Sequence, residues 1–301
     1  MKKTSSDKVF IPDYALVKVK QMGHIVAVRH SSHVNYKASI KKLDKDRYID
    51  VQTGEIKNFN HIENRQQSYN SLRKTFSKLS DLINNNFTGK GNELHVTLTY
   101  KENMTDPKRL YSDFKRFMTR LKRKYKDKSS IDYICVVEPQ ERGAWHCHLL
   151  LRFNDLDKVF LSNNLVRELW EQGKIVKTKS LKDVDNVGAY LSAYLTDVEL
   201  TEDNVMTVSK EHREIVVKQV DGKEKKFIKG GRLHLYPPGM NLYRKSKGIV
   251  TPEEGEMSFR EVKKIVGAVT PHYQKAITIT DDNDFEVTHQ YIQYNTKRNT
   301  E

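Results

Sequence analysis

Short runs of β-branched and apolar residues open the chain, at 15–20 and 24–29 on either side of Met22-Gly23, and at 48–51 and 55–59 on either side of Thr53-Gly54. A glycine between two such runs marks a turn, so the first sixty residues predict two hairpins. The period then lengthens. Leu72, Phe76, Leu79 and Ile83 recur at spacings of three and four, which lines one face of a helix and predicts one over 64–85. The polar stretch 84–91, with three asparagines and two glycines, ends it.

Residues 94–100 return to β-branched alternation and predict a strand. Pro107, followed by Leu110, Phe114, Phe117 and Leu121, predicts a helix with one apolar stripe. Two strands are expected over 132–138 and 145–153, joined by a turn at 139–144. Helices are expected over 164–171 and 185–197, with the more polar 174–182 between them. Runs at 213–220 and 225–228 flank Asp221-Gly222, a further hairpin signal. The last eighty residues read as connections and a polar end from 281. The mixture predicts an α+β chain in three parts: a small β-rich module over 1–90, a main domain over 91–250 and a C-terminal extension over 251–301.

Charge narrows the class of partner. Lysine and arginine number 53 against 39 acids, a formal net charge of +14, and such an excess points to a polyanion, most often nucleic acid. Ten of the basic residues fall within 108–128, against Asp113 and Asp127. Such a helix is either a solvated face or a phosphate-binding one. Lys115, Arg116, Arg120, Lys122, Arg123 and Lys124 are the candidates for DNA contact. Cys135 and Cys147 are the only cysteines, with no CxxC pair, which argues against a cysteine zinc site and a disulfide framework. No run approaches the roughly 18 apolar residues of a membrane span. A protein of a reducing, bacterial cytoplasm is expected.

The candidate chemistry begins at His146-Cys147-His148. In a strand, side chains two apart share a face, so the imidazoles point together while Cys147 points into the interior. Glu138 ends the preceding strand and can lie beside them across the hairpin. Two imidazoles and a carboxylate suit Mg²⁺ or Mn²⁺, and zinc would accept them as well. A salt bridge from Glu138 to Arg142 or Arg152 is the competing role. Tyr190 and Tyr194 are one helical turn apart, as nucleophiles or as core residues. A phenol of pKa about 10 needs help to attack a phosphate, and a bound cation polarising that phosphate supplies it.

In order along the chain, Val96-Thr97-Leu98-Thr99-Tyr100, then Glu138 with Gly143-Ala144-Trp145-His146-Cys147-His148, then Tyr190-Leu191-Ser192-Ala193-Tyr194 resemble the motifs of the HUH endonucleases. The resemblance is to the two-tyrosine, rolling-circle replication initiators of plasmids and phages. It spans roughly 94–250, and the segment 231–240 with Arg244 is similar to the region that follows in phage-type proteins. The resemblance implies a central five-stranded antiparallel sheet flanked by helices, a metal on its middle strands and a nearby tyrosine helix. It also implies nicking of one strand of a single-stranded or hairpin origin, a 5′-phosphotyrosine and a free 3′-OH for a host polymerase. The family often carries a lysine three residues after the first tyrosine, where this chain has Ala193; Lys179 and Lys182 are the nearby substitutes. With no GxxxxGK[ST] loop in the sequence, unwinding would fall to a host helicase. A relaxase or single-strand transposase would share the chemistry, and a non-catalytic origin-binding protein would share only the charge.

Overall fold

The computed structural model describes residues 2–33, 39–59, 69–139, 143–173, 176–195, 198–199, 215–220, 223–228, 236, 240–282 and 284–298. It divides into two compact units, 1–63 with 252–301, and 64–251. The first begins with β1 (Lys2–Ser6), β2 (Leu16–Met22), β3 (Ile25–Ser31), β4 (Ile40–Lys42), β5 (Arg47–Asp50) and β6 (Ile56–Asn58). The second contains α1 (Tyr69–Asn86), β7 (Glu93–Leu98), α2 (Pro107–Lys124), β8 (Ile131–Pro139), β9 (Trp145–Phe153), α3 (Asn163–Trp170) and β10 (Val176–Ser180). It continues with α4 (Val187–Leu195), β11 (Val198–Glu199), β12 (Ile215–Val220), β13 (Lys223–Ile228) and β14 (Tyr243–Lys245). The chain then returns to the first unit with β15 (Glu254–Ser258), α5 (Phe259–Val266), β16 (Tyr273–Thr280) and β17 (Glu286–Asn295).

Both expected N-terminal hairpins form, β2–β3 and β5–β6. Gly54 takes φ 74°, a left-handed turn conformation that only glycine adopts without cost. The compact units do not follow the boundaries expected at 90 and 250. β2 and β3 are joined by strands from the far end of the sequence in one antiparallel sheet, ordered β1-β16-β17-β3-β2-β15. Phe259, Val262 and Val266 of α5 close that sheet's apolar face against Val17, Val19, Val28 and Ile292. The stretch from 281, expected as a polar end, supplies most of β17, because its apolar residues alternate with polar ones on an exposed face.

The second unit is built on a five-stranded antiparallel sheet ordered β10-β7-β9-β8-β14, flanked by helices, so the α+β architecture and the five-stranded core are as expected. β8 and β9 are buried on both faces, which explains their nearly unbroken apolar sequence. One face, with Val96, Leu98, Val137, Leu149 and Leu151, packs on Phe114, Phe117 and Leu121 of α2 and Trp170 of α3. The other, with Ile134, Val136 and Leu150, packs on Leu79, Leu82 and Ile83 of α1 and on Val187 and Leu191 of α4. Residues 176–180, expected within a connection, form the edge strand β10 instead. Their alternating Lys and Thr suit an edge, where one side of the strand stays in water. Val220 pairs with Lys223, as a two-residue hairpin loop requires. Among the described residues no helix is long and apolar enough to cross a membrane.

Candidate metal and nucleophile site

Strand pairing assembles the site. Glu138 on β8 stands opposite His146 on β9, and His148 stands opposite Thr97 on β7. Alternation then puts Glu138, His146, His148, Thr97 and His95 on one face of the sheet, the face covered by α1 and α4. Cys147 points the other way and is fully buried beneath α2 and α3, as its place between the histidines predicts. It and Cys135 are free thiols.

Glu138, His146 and His148 bring one ligand atom each to within 4.8 Å of one another. Glu138 and His148 are buried and His146 is half-buried. His148 Nε2 hydrogen-bonds Glu138 Oε2. Its Nδ1 is held by His95 Nε2 at 3.2 Å, and His95 Nδ1 lies 3.4 Å from the Tyr190 hydroxyl. Four side chains from β8, β9, β7 and α4 thus form one hydrogen-bonded row. Burial pushes His148 down to about 4. Burial, reinforced by His148 and then by Lys179, pushes His95 down to about 3. Both rings are therefore neutral near pH 7 and present lone pairs.

The donor set fits a divalent cation. Nitrogen and carboxylate oxygen converge from adjacent strands, and a histidine whose second nitrogen is held by a neighbour is oriented as metal ligands usually are. The alternative partner for Glu138, Arg152, is engaged elsewhere, donating to Asp132 at 3.0 Å and to the Asn86 carbonyl at 2.8 Å. Arg142 lies outside the described residues.

Tyr190 is placed by the start of α4. Asn186 accepts from the Ala189 N–H at 2.9 Å, capping the helix, and its carboxamide oxygen also accepts from Asn84 Nδ2 of α1 at 3.1 Å. Asn84 Oδ1 in turn accepts from the Gly188 N–H at 2.7 Å. Glycine is needed at 188 because a Cβ would stand 2.8 Å from the Ser80 carbonyl oxygen of α1. That close approach brings the Tyr190 ring edge-on to His95, with centroids 5.6 Å apart. The side chains of Ala193 and Tyr194 lie outside the described residues. Lys179 stands directly opposite His95 across β10–β7, whereas Lys182 is exposed on the following turn.

His95 was not singled out from the sequence. Its signal was its shared parity with Thr97 in the predicted strand, but only the β7–β9 register reveals that this face meets His148.

The basic helix α2 lies on the opposite face of the sheet from Glu138, His146 and His148, not beside them as its sequence position suggested. Its six candidate cations divide. Arg116 pairs with buried Asp113. Arg120 pairs with Glu171 at 2.5 Å and donates to the Leu169 carbonyl at 3.0 Å. Lys115, Lys122, Arg123 and Lys124 are exposed, with no ion pair among the described residues. In the segment expected to follow the tyrosine helix, 231–235 and 237–239 lie outside the described residues, and buried Tyr236 donates to the Val137 carbonyl at 3.1 Å.

Residues 93–199 match the sequence model of a replication-associated protein family, that of ORF2 and the gene-2 protein. The matched stretch runs from β7 to β11 and includes His95, Glu138, His146, His148 and Tyr190. Comparison with curated proteins gave no match.

Proposed function

We propose that this protein initiates rolling-circle DNA replication by cutting one strand through tyrosine attack and later rejoining it. The observation that carries the reading is the row Glu138–His148–His95–Tyr190 on one sheet face, inside the replication-associated stretch. Glu138, His146 and His148 would hold Mg²⁺ or Mn²⁺. When bound, the ion draws charge from the scissile phosphate and so weakens the demand on a poor nucleophile.

The remaining work belongs to the protein. The Tyr190 oxygen attacks phosphorus in line with the 3′ oxygen; the new P–O bond to tyrosine replaces the P–O3′ bond, and the 3′ oxygen departs and takes up a proton. His95 Nδ1 is the acceptor facing the Tyr190 hydroxyl, so it orients that hydroxyl and takes its hydrogen bond. Lys179, across the sheet from His95, is the better placed of the two lysines for the position that Ala193 leaves empty. The phosphotyrosine conserves the energy of the broken bond, so a later 3′-OH can attack it and reseal the strand. Tyr194, one turn on, would accept the strand in a second transfer. Single-stranded or hairpin origin DNA is the substrate, with a helicase and a polymerase of the host as partners.

Labelled single-stranded candidate origins, incubated with Mn²⁺ and run on denaturing gels before and after protease, test the reading. A protease-sensitive adduct that disappears in Tyr190→Phe supports it. DNA binding with no adduct on any strand would leave an origin-binding protein without chemistry. The same chemistry in a relaxase or transposase would yield the adduct but no origin-dependent replication.

A further inference from the structure

Two adjoining hollows, of about 370 and 640 Å³, lie along the outer side of α2 and the edge strand β14, sharing Lys122 and Tyr133 as walls. They lie on the α2 face of the sheet, away from the metal and tyrosine residues. The first is aromatic and cationic. Arg244 stacks over the Tyr111 ring at 3.5 Å, and the Lys122 ammonium sits 5.7 Å from the Tyr133 centroid. Phe114 packs edge-on against Tyr133 at 5.3 Å, and Lys115 adds a further charge to the wall. The second hollow is polar, walled by Lys126, Lys245, Lys247, Ser129 and Ser130. Its only acid, Asp132, is held by Arg152 at 3.0 Å and Ser246 at 2.7 Å.

We infer that this trough binds single-stranded DNA, gripping the strand away from the point of cleavage. Rings and a planar guanidinium offer stacking surfaces for bases of any sequence, and the lysines along both hollows match a phosphate backbone. An acidic peptide would satisfy the lysines but leave the stacked Arg244–Tyr111 pair without a matching group. The edge strand links the two faces. Tyr243 stands opposite Val136 and so looks to the metal side, while its neighbour Arg244, opposite Cys135, looks to the trough. The inference rests on the proposed function only for its choice of DNA as the polyanion.

The test measures binding of a fluorescent oligothymidylate of roughly 16 nucleotides by anisotropy, between about 50 and 200 mM salt. The triple variant Lys122→Gln, Arg244→Gln, Lys247→Gln is expected to bind about tenfold more weakly, with a salt slope shallower by about 2. A charge-matched control on exposed sites elsewhere in the unit, Lys90→Gln, Lys101→Gln, Lys158→Gln, is expected to bind like the parent. Photo-crosslinking of an iodouracil-bearing strand to Tyr111 or Tyr133 is the second readout, and it needs no variant to fold. Equal affinity and slope in both triples, with no crosslink at either tyrosine, overturns the trough. Displacement of the oligonucleotide by polyglutamate at equal charge concentration overturns the nucleic-acid occupant in favour of an acidic protein. The adduct assay separates the two proposals. Adduct formation with trough-independent binding removes the trough and keeps the chemistry, and trough-dependent binding without adduct does the reverse.

Discussion

Two carboxylates of β8 face β9 from the same side of the sheet, six residues apart. Asp132 stands opposite Arg152, and Glu138 stands opposite His146. Between them the ladder is filled by Val136, Ile134 and Leu150, all fully buried. At the Asp132 end the acid meets a permanent cation, and Arg152, Asn154 and Ser246 occupy its oxygens. Burial raises the Asp132 pKa, but the Ser246, Asn154 and Arg152 bonds outweigh it and hold the carboxyl below its usual range. At the Glu138 end the acid meets imidazoles that burial keeps neutral. A carboxylate neutralised by arginine is finished as a structural element. A carboxylate sharing a pocket with neutral imidazoles retains its charge for a cation brought from outside. The same strand pair thus carries a structural clamp at one end and a reactive site at the other, and the residue opposite the acid decides which.

The sharpest break in that comparison is His148→Ala. Mn²⁺-dependent adduct formation should fall by about 10³-fold or more, while Asp132→Asn, tested in parallel on the same strand, retains the adduct. Asp132→Ala should show the opposite profile. Stranding Arg152 at a largely buried position is expected to cost about 3 kcal/mol, read as a shift in the urea midpoint, with the adduct still formed well below the transition. A folded Asp132→Ala protein without adduct formation would erase the distinction between the two ends. Gly188→Ala moves the nucleophile without touching the donors. Adduct formation is expected to slow by about 10²-fold while Mn²⁺ affinity by calorimetry stays at the parent value. The smallest effect is in acid. Because Asp132 is depressed below its unfolded value near 3.9, its contribution is fully present above that pH and is lost as pH falls through the folded value. Urea midpoints taken from about pH 5 down to 2 should therefore fall less steeply in Asp132→Asn than in the parent.

What could be read from the sequence follows from how local each signal is. The β8–β9 hairpin and the convergence of Glu138, His146 and His148 need only strand alternation and a short turn, and both were legible. His95 needed the register of β7 against β9, a contact over some fifty residues, and no local pattern supplies it. β10 escaped because an edge strand half in water has the composition of a loop. α2 was legible as an amphipathic, basic helix, yet its sequence says nothing about which face of the sheet it covers, so its cations were assigned to the wrong neighbourhood. The three-part division failed for a related reason: strands that pair from opposite ends of a chain leave no local mark of their partnership.

That pairing also imposes a timetable on synthesis. β3 lies between β2 and β17, and β17 is completed only at Asn295, about 260 residues after β3 has emerged. At roughly 5–20 residues per second, the β2–β3 hairpin waits on the order of 10–50 s with one edge open. Val26, Ala27 and Val28, buried in the finished sheet, are presented to the surroundings throughout that interval. The intervening stretch 64–251 can complete its own sheet first, so the newborn protein holds a finished five-stranded core while its first hairpin still lacks a partner.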